Sequence, residues 1–313
     1  MFLIKAKGGL GNRVLSSASA ILYADSTKRK WSIDWRDGVY AKQGVNAYRY
    51  LFSSNANTDL PNLNSSSVVV PSIWSEKLHE SASCLIQLHY PNKHSNPFTY
   101  RYLSAPLNLK KEHGVVEVFW SYTSKYGRIK KFLSKSNRLP KDRALSQVIS
   151  RYFQPCEDVT LAVNALMSGV KGKVLGVHIR YTDLKVPIEK ILIKLDQCMK
   201  SGEYHSLFLA TDNVDIEKKI VQKYSNVVVS NKRFNLSRQQ LHDANSTDQK
   251  VDGAREALID MVALSRCNSL MYCSRSTFAE TSRLMGSFSK NELYDIDRYN
   301  LKIRLKRFLQ EYL

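Results

Sequence analysis

Apolar and polar positions alternate in blocks that read as strand, turn and helix. Phe2-Leu-Ile-Lys-Ala-Lys7 reads as a strand and Gly8-Gly-Leu-Gly-Asn12 as a tight turn, and then Val14, Leu15, Ala18, Ile21 and Leu22 recur at helical spacing. Further strands are expected at 31–35, 68–70 and 115–120, with a short helical piece near 48–52 and a helix over 144–153. The second half is more regular. Val174, Leu175, Val177 and Ile179 form a near-continuous apolar run, as in parallel strands covered on both faces. Helix 188–201, strand 207–212, a helix carrying Ile216, Ile220 and Val221, and strand 226–229 follow. After a polar stretch, 231–250, read as a mobile loop, come an apolar helix over 253–266, strand 270–273, and a loop and helix over 274–285. Strands alternating with helices at this spacing predict a parallel sheet. A boundary near 150 gives two α/β domains, 1–150 and 151–313.

Charge changes the picture. The 313 residues carry a formal net charge of +19, which calls for an anionic partner or environment: nucleic acid, a membrane surface or a phosphorylated substrate. The most basic stretch, 124–143, has a single acid, Asp142, and reads as a solvated helix face or as a surface for an anionic acceptor or bilayer. Each Lys or Arg near such a surface adds on the order of 1 kcal/mol. The tail 301–313 is amphipathic, with Leu301, Leu305, Phe308, Leu309 and Tyr312 on one face and Lys302, Arg304, Lys306 and Arg307 off it. It reads as a terminal helix packing back on the first domain or as an interfacial helix on an anionic bilayer. Five scattered cysteines without a C-x-x-C pair suggest reduced thiols. No targeting segment and no apolar run of roughly 20 residues are seen, so the expectation is a cytoplasmic protein, peripheral at most to the inner face of a membrane. The four histidines between 79 and 113 lack ligand spacing, and no metal is expected.

Candidate chemistry sits at strand ends. His178 and Arg180 are two apart, so they share a face at the C-terminal end of strand 174–180, where open α/β sheets bind ligands. Arg180 offers a planar fork suited to phosphate; the alternative is a core ion pair, with His178 an ordinary core histidine. The glycine turn is neither a dinucleotide fingerprint nor a P-loop, yet strand, glycine loop and helix can aim N–H groups at a phosphate. Asp260, inside the apolar 257–263, needs donors. These are either a protein Arg or Lys or the two parallel N–H donors of a guanine edge. Thr277 and Glu280 have capping-box spacing, while the same helix start, with the Ser276 and Thr277 hydroxyls, also suits a diphosphate.

With these motifs in order, namely Gly8 to Asn12, Gly176 to Asp183, Phe208 to Asp212, and Asp260 followed by Cys273 to Thr277, the chain resembles a fucosyltransferase superfamily. That superfamily includes the α1,6 enzymes of nodulation and core-fucosylation type, the α1,2 enzymes and the protein O-fucosyltransferases. The resemblance is closest to the α1,6 type. It spans the first ~50 residues and roughly 173–286, and leaves 55–150 unmatched. It implies a GT-B-like fold, two Rossmann-like domains with parallel sheets facing across a cleft, and an inverting, metal-independent transfer of fucose from GDP-fucose to a glycan hydroxyl. It implies that Arg180 holds the β-phosphate and offsets leaving-group charge. His178 and Asp260 would contact guanosine, Ser276 and Thr277 the diphosphate, and Gly9, Gly11 and Asn12 would close the cleft from the first domain. Asp212 would brace the site. The family usually has a second Arg directly after Arg180, where this chain has Tyr181. The segment after Asp183 is also shorter, so the general base is either Asp183 or Glu189. The acceptor would be a lipid-linked glycan or bacterial surface-polysaccharide intermediate. A different nucleotide sugar on the same fold is the alternative. Nucleic acid is not expected as a partner, because the charges are spread along an enzyme-like chain without a nucleic-acid motif.

Overall fold

A computed structural model describes residues 1–63, 67–93, 97–108, 110–133, 139–182, 186–232 and 247–312. The chain divides into two compact units, Met1–Gln154 with Ala244–Val251 and Phe308–Leu313, and Pro155–Asp243 with Asp252–Arg307.

The first unit holds β1 (Phe2–Ala6), α1 (Leu10–Ser26), β2 (Trp31–Asp34), α2 (Tyr48–Leu51), β3 (Val68–Val70), α3 (Ala82–His89), β4 (Val115–Ser121), α4 (Tyr126–Ile129) and α5 (Lys141–Tyr152). Its sheet is parallel, in the order β2-β1-β4-β3. β1 lies inside the sheet and is wholly buried, and all of its residues but one are apolar. Its one cation, Lys5, is compensated: Nζ donates to Asp34 Oδ2 at 2.5 Å and to Leu78 O at 2.6 Å.

The second unit holds α6 (Glu157–Ser168), β5 (Val174–Ile179), α7 (Ile188–Lys200), β6 (Ser206–Thr211), α8 (Val214–Lys223), β7 (Val227–Val229), β8 (Ser269–Tyr272), α10 (Thr277–Met285) and β9 (Leu293–Asp295). The residues of α9 (Thr247–Ser265) and α11 (Leu301–Tyr312) divide between the units. The strand order is β7-β6-β5-β8-β9, all parallel. The chain leaves β5 towards β6 and β7, then returns to add β8 and β9 on the other side. The β5–β8 boundary is therefore the topological switch point, outside whose C-terminal strand ends such sheets bind ligands.

Several elements differ from the sequence reading. α5 begins at Lys141 rather than 144, because its polar first turn lies outside the apolar periodicity while Asp142 suits a helix N-terminus. α9 begins at Thr247, so the end of the stretch read as a loop is helical; 233–246 lies outside the described residues. α3, α6 and β9 had no counterpart in the sequence reading. β9 is three residues long, too short to show a period. The basic 124–143 stretch is not uniformly solvated. Lys125 Nζ donates to Gln310 O at 2.7 Å, and burial pushes its ammonium down to about 8.

Candidate functional site

β5 ends in His178-Ile179 with Arg180 just beyond it, and β8 is followed by Cys273-Ser-Arg-Ser, which leads into α10. The two segments meet through a ring contact. His178 stacks on Phe278 in the first turn of α10, with centroids 5.1 Å apart and planes at 22°. His178 is buried, and its Nδ1 has no hydrogen-bond partner among the described residues. Burial, reinforced by the positive charges of Arg180 and Lys232, pushes its imidazolium down to about 3. His178 is therefore neutral at working pH and presents a polar nitrogen that the described protein groups leave unmet.

This has a consequence for stability. An unfolded chain protonates the histidine below about 6.5, whereas the folded protein resists protonation until about 3. Stability should therefore fall as pH drops through that window, by at most about 5 kcal/mol at its lower end. His178→Phe, which keeps the stack, should flatten that slope in denaturant titrations run across the window. An unchanged slope would mean that the acid sensitivity lies elsewhere.

Arg180 sits past the strand end, with its side chain 37% exposed and its Nε 3.2 Å from Asp212 Oδ2. Asp212 also accepts from the Tyr181 backbone N–H at 2.7 Å and from the Thr182 hydroxyl at 2.5 Å. One carboxylate at the end of β6 thus holds three consecutive residues at the end of β5. Tyr181, at the position where the resemblance implies a second Arg, packs against the apolar core formed by β5, β6 and α7.

Ser276 and Thr277 lie at the start of α10. The N-cap is Ser276, whose hydroxyl accepts from the Ala279 N–H at 3.5 Å, with Thr277 the first helical residue. The capping-box reading of Thr277 with Glu280 is corrected accordingly. Glu280 stands one position too late, and its carboxylate pairs with Arg283 at 2.9 Å and Arg307 at 3.1 Å. The loop before the cap is fixed by Arg275, whose Nε donates to Asp297 Oδ2 at 2.8 Å and whose Nη2 donates to Oδ1 at 2.5 Å.

Asp260 of α9 is buried, with Ser230 Oγ donating to Oδ1 at 2.5 Å and Lys232 Nζ to Oδ2 at 2.7 Å. Burial pushes the Asp260 carboxyl up, and the ammonium and the hydroxyl pull against that shift. The protein partner foreseen as Arg or Lys is Lys232. It lies 28 residues before Asp260 in sequence, so no local pattern pointed to it. Glu217 of α8 lies in the same field: burial raises its carboxyl, Lys232 lowers it and Asp260 raises it further. Phe278, Ser230, Lys232 and Glu217 were not singled out in the sequence.

The remaining candidates are elsewhere. Glu189 is exposed in the first turn of α7. Asp183 lies outside the described residues. Gly9, Gly11 and Asn12 belong to the first unit, where Gly9 is the N-cap of α1 and the other two lie in its first turn. The turn needs glycine at Gly8, whose φ is +83° and where a Cβ would fall 2.5 Å from Asn12 Nδ2. Arg13, fully buried, supports the turn by donating from Nε to Gly8 O at 2.9 Å and from Nη2 to Asp37 at 2.7 Å.

A neutral histidine stacked on the first turn of α10 thus lies at the switch point of a Rossmann-like sheet, with a phosphate-capable guanidinium two residues further along the same strand end. No family model matches the sequence, and no curated protein matches it. Solved structures do. The fucosyltransferase NodZ from Bradyrhizobium is 18% identical, with 95% of this chain and 96% of that one covered at a TM-score of 0.64. The chain has the fold of the fucosyltransferases. NodZ α-1,6-fucosyltransferase co-crystallised with GDP is similar at 19% identity over 91% of this chain and 92% of that one, TM-score 0.61. A mutant of Arabidopsis thaliana FUT1 in complex with GDP is similar at 15% identity over 91% and 68%, TM-score 0.53. In this fucosyltransferase fold each unit has its own parallel sheet, and the convergent polar groups belong to the second unit.

Proposed function

We propose that the protein is an inverting, metal-independent glycosyltransferase that moves fucose from GDP-fucose to a glycan hydroxyl. The observation that carries this reading is the stack of the neutral His178 on the first turn of α10 at the switch point, with Arg180 two residues further along the same strand end. It is supported by a fold shared with fucosyltransferases that have been crystallised with GDP. Arg180 holds the β-phosphate. The Ser276 and Thr277 hydroxyls and the first N–H groups of α10 meet the diphosphate oxygens, where an anion is favoured by the helix terminus. His178 and Asp260 contact guanosine, the buried His178 nitrogen meeting a ribose or base group. Gly9, Gly11 and Asn12, at the glycine turn that opens α1, are the further residues proposed to bind the donor.

In the reaction the acceptor oxygen attacks the anomeric carbon of fucose as the bond from that carbon to the β-phosphate oxygen breaks. The bonding pair leaves with GDP, whose developing charge Arg180 offsets. The acceptor proton passes to a carboxylate, Asp183 or Glu189. The acceptor is a lipid-linked glycan of bacterial surface-polysaccharide type, with the enzyme cytoplasmic and peripheral on the inner membrane face. The formal net charge of +19 supports contact with an anionic surface.

A second reading keeps the fold and changes the nucleotide sugar. Its basis is Tyr181, which packs into the core where the resembling family has a phosphate-binding Arg. Thermal unfolding with GDP, GDP-fucose, UDP, CMP and ADP, each with and without EDTA, separates the two. The expected result is a higher midpoint with GDP and GDP-fucose alone, unaffected by EDTA, because a ligand that binds only the native state stabilises it by mass action. A shift with UDP or CMP instead would transfer the assignment to another donor.

A further inference from the structure

α11 is oriented opposite to a helix that closes a core. Its apolar positions Leu301, Leu305, Phe308, Leu309 and Tyr312 fall on one stripe, and they are 73, 60, 56, 42 and 40% exposed. The side turned towards the protein is largely polar: Ile303, Arg307, Gln310 and Glu311 are the half-buried positions. That side is fastened by named contacts. Arg307 Nη2 lies 3.1 Å from Glu280, Lys125 Nζ donates to Gln310 O at 2.7 Å, and Lys141 pairs with Glu311. The Tyr312 ring lies over Gly127, where a Cβ would come within 2.6 Å of it, so the glycine permits the approach.

The exposed stripe is bordered by Lys302, Arg304 and Lys306, all exposed, and the one acid of the helix is engaged by Lys141. Beside Gly127 the chain exposes Arg128, Lys130 and Lys131. An apolar stripe flanked by cations fits a surface that accepts hydrocarbon side chains and carries negative charge. A second copy of the chain fits less well, because apposing two such helices would set their cations against one another.

We propose that α11 is an interfacial helix that seats the protein on an anionic lipid bilayer. The stripe from Leu301 to Leu309 enters the boundary between headgroups and acyl chains, with Tyr312 packed over Gly127 at its end, and the flanking Lys and Arg side chains meet lipid phosphates. The proposal deepens the reading of a membrane-borne acceptor and rests on it for its purpose, though the lipid contact does not depend on which donor is used.

The test is cosedimentation of the full chain with phosphatidylcholine vesicles, with and without about one-third phosphatidylglycerol. Binding to the anionic vesicles alone is expected, weakening as salt rises. Leu305→Ser with Phe308→Ser should reduce it by about tenfold or more, since each side chain contributes buried apolar area. The variant's thermal midpoint and its shift with GDP, both expected to be retained, report that it is folded. No binding to anionic vesicles, or binding that the double substitution leaves unchanged, overturns the proposal. So does a wild-type dimer in sedimentation equilibrium that the same substitutions disperse, which would give the stripe to a second copy. Absence of a GDP shift in the wild type would sink the donor reading and leave the vesicle result to be judged alone.

Discussion

Arg180→Ala should abolish the GDP-dependent rise in the thermal midpoint and lower fucosyl transfer by about 100- to 1,000-fold, the loss typical of removing one preorganised donor to a developing anion. The fold should survive. Arg180 is more than a third exposed, and without it Asp212 still holds the Tyr181 N–H and the Thr182 hydroxyl. The midpoint without ligand should therefore move little. Arg180→Lys should recover part of the nucleotide binding through its charge but not the two-pronged geometry, so transfer should stay well below wild type. A Lys variant with full activity would mean that Arg180 acts as a point charge. An Ala variant that still binds GDP normally would remove Arg180 from the donor site.

The second large effect concerns Asp260. Asp260→Ala should destabilise the protein by about 3–5 kcal/mol in urea unfolding, because it strands Lys232 in a buried site. Asp260→Leu with Lys232→Met should return most of that loss, since a buried ion pair can be replaced by apolar groups of similar size at little net cost. The double variant then isolates the functional question. If Asp260 accepts from the guanine edge, the restored protein should still fail to bind GDP tightly. GDP binding at wild-type strength in the restored variant would make the carboxylate purely structural.

The legible parts of the chain were those where burial leaves a periodic trace. β5 and β6 are covered on both faces, so they stood out as apolar runs, and the polar His178 and Arg180 stood out against that background. Asp260 was visible for the same reason, as a carboxylate in an apolar helix. Its partner was not visible, because Lys232 reaches it through the fold and leaves no local pattern. The cap of α10 was misplaced by one residue because Ser276 and Thr277 carry equivalent hydroxyls and only backbone geometry distinguishes them. The stack of His178 on Phe278 joins two segments a hundred residues apart. The tail's periodicity revealed an apolar stripe, but periodicity cannot say which way a stripe faces. Here the electrostatic fastenings of Arg307, Lys125 and Lys141 hold the polar side inward.

The triple grip of Asp212 on residues 180 to 182 bears on the thermodynamics of donor capture. A free arginine side chain gives up roughly 1.5–2 kcal/mol of rotational entropy when it is immobilised. Because Asp212 restrains the guanidinium and the backbone beneath it, much of that ordering is complete before a phosphate arrives. The same carboxylate, however, competes with the phosphate for the cation it aims. On the proposed donor reading, the site should favour a dianionic diphosphate over singly charged anions, since the more strongly charged ligand is better able to draw the guanidinium from its brace.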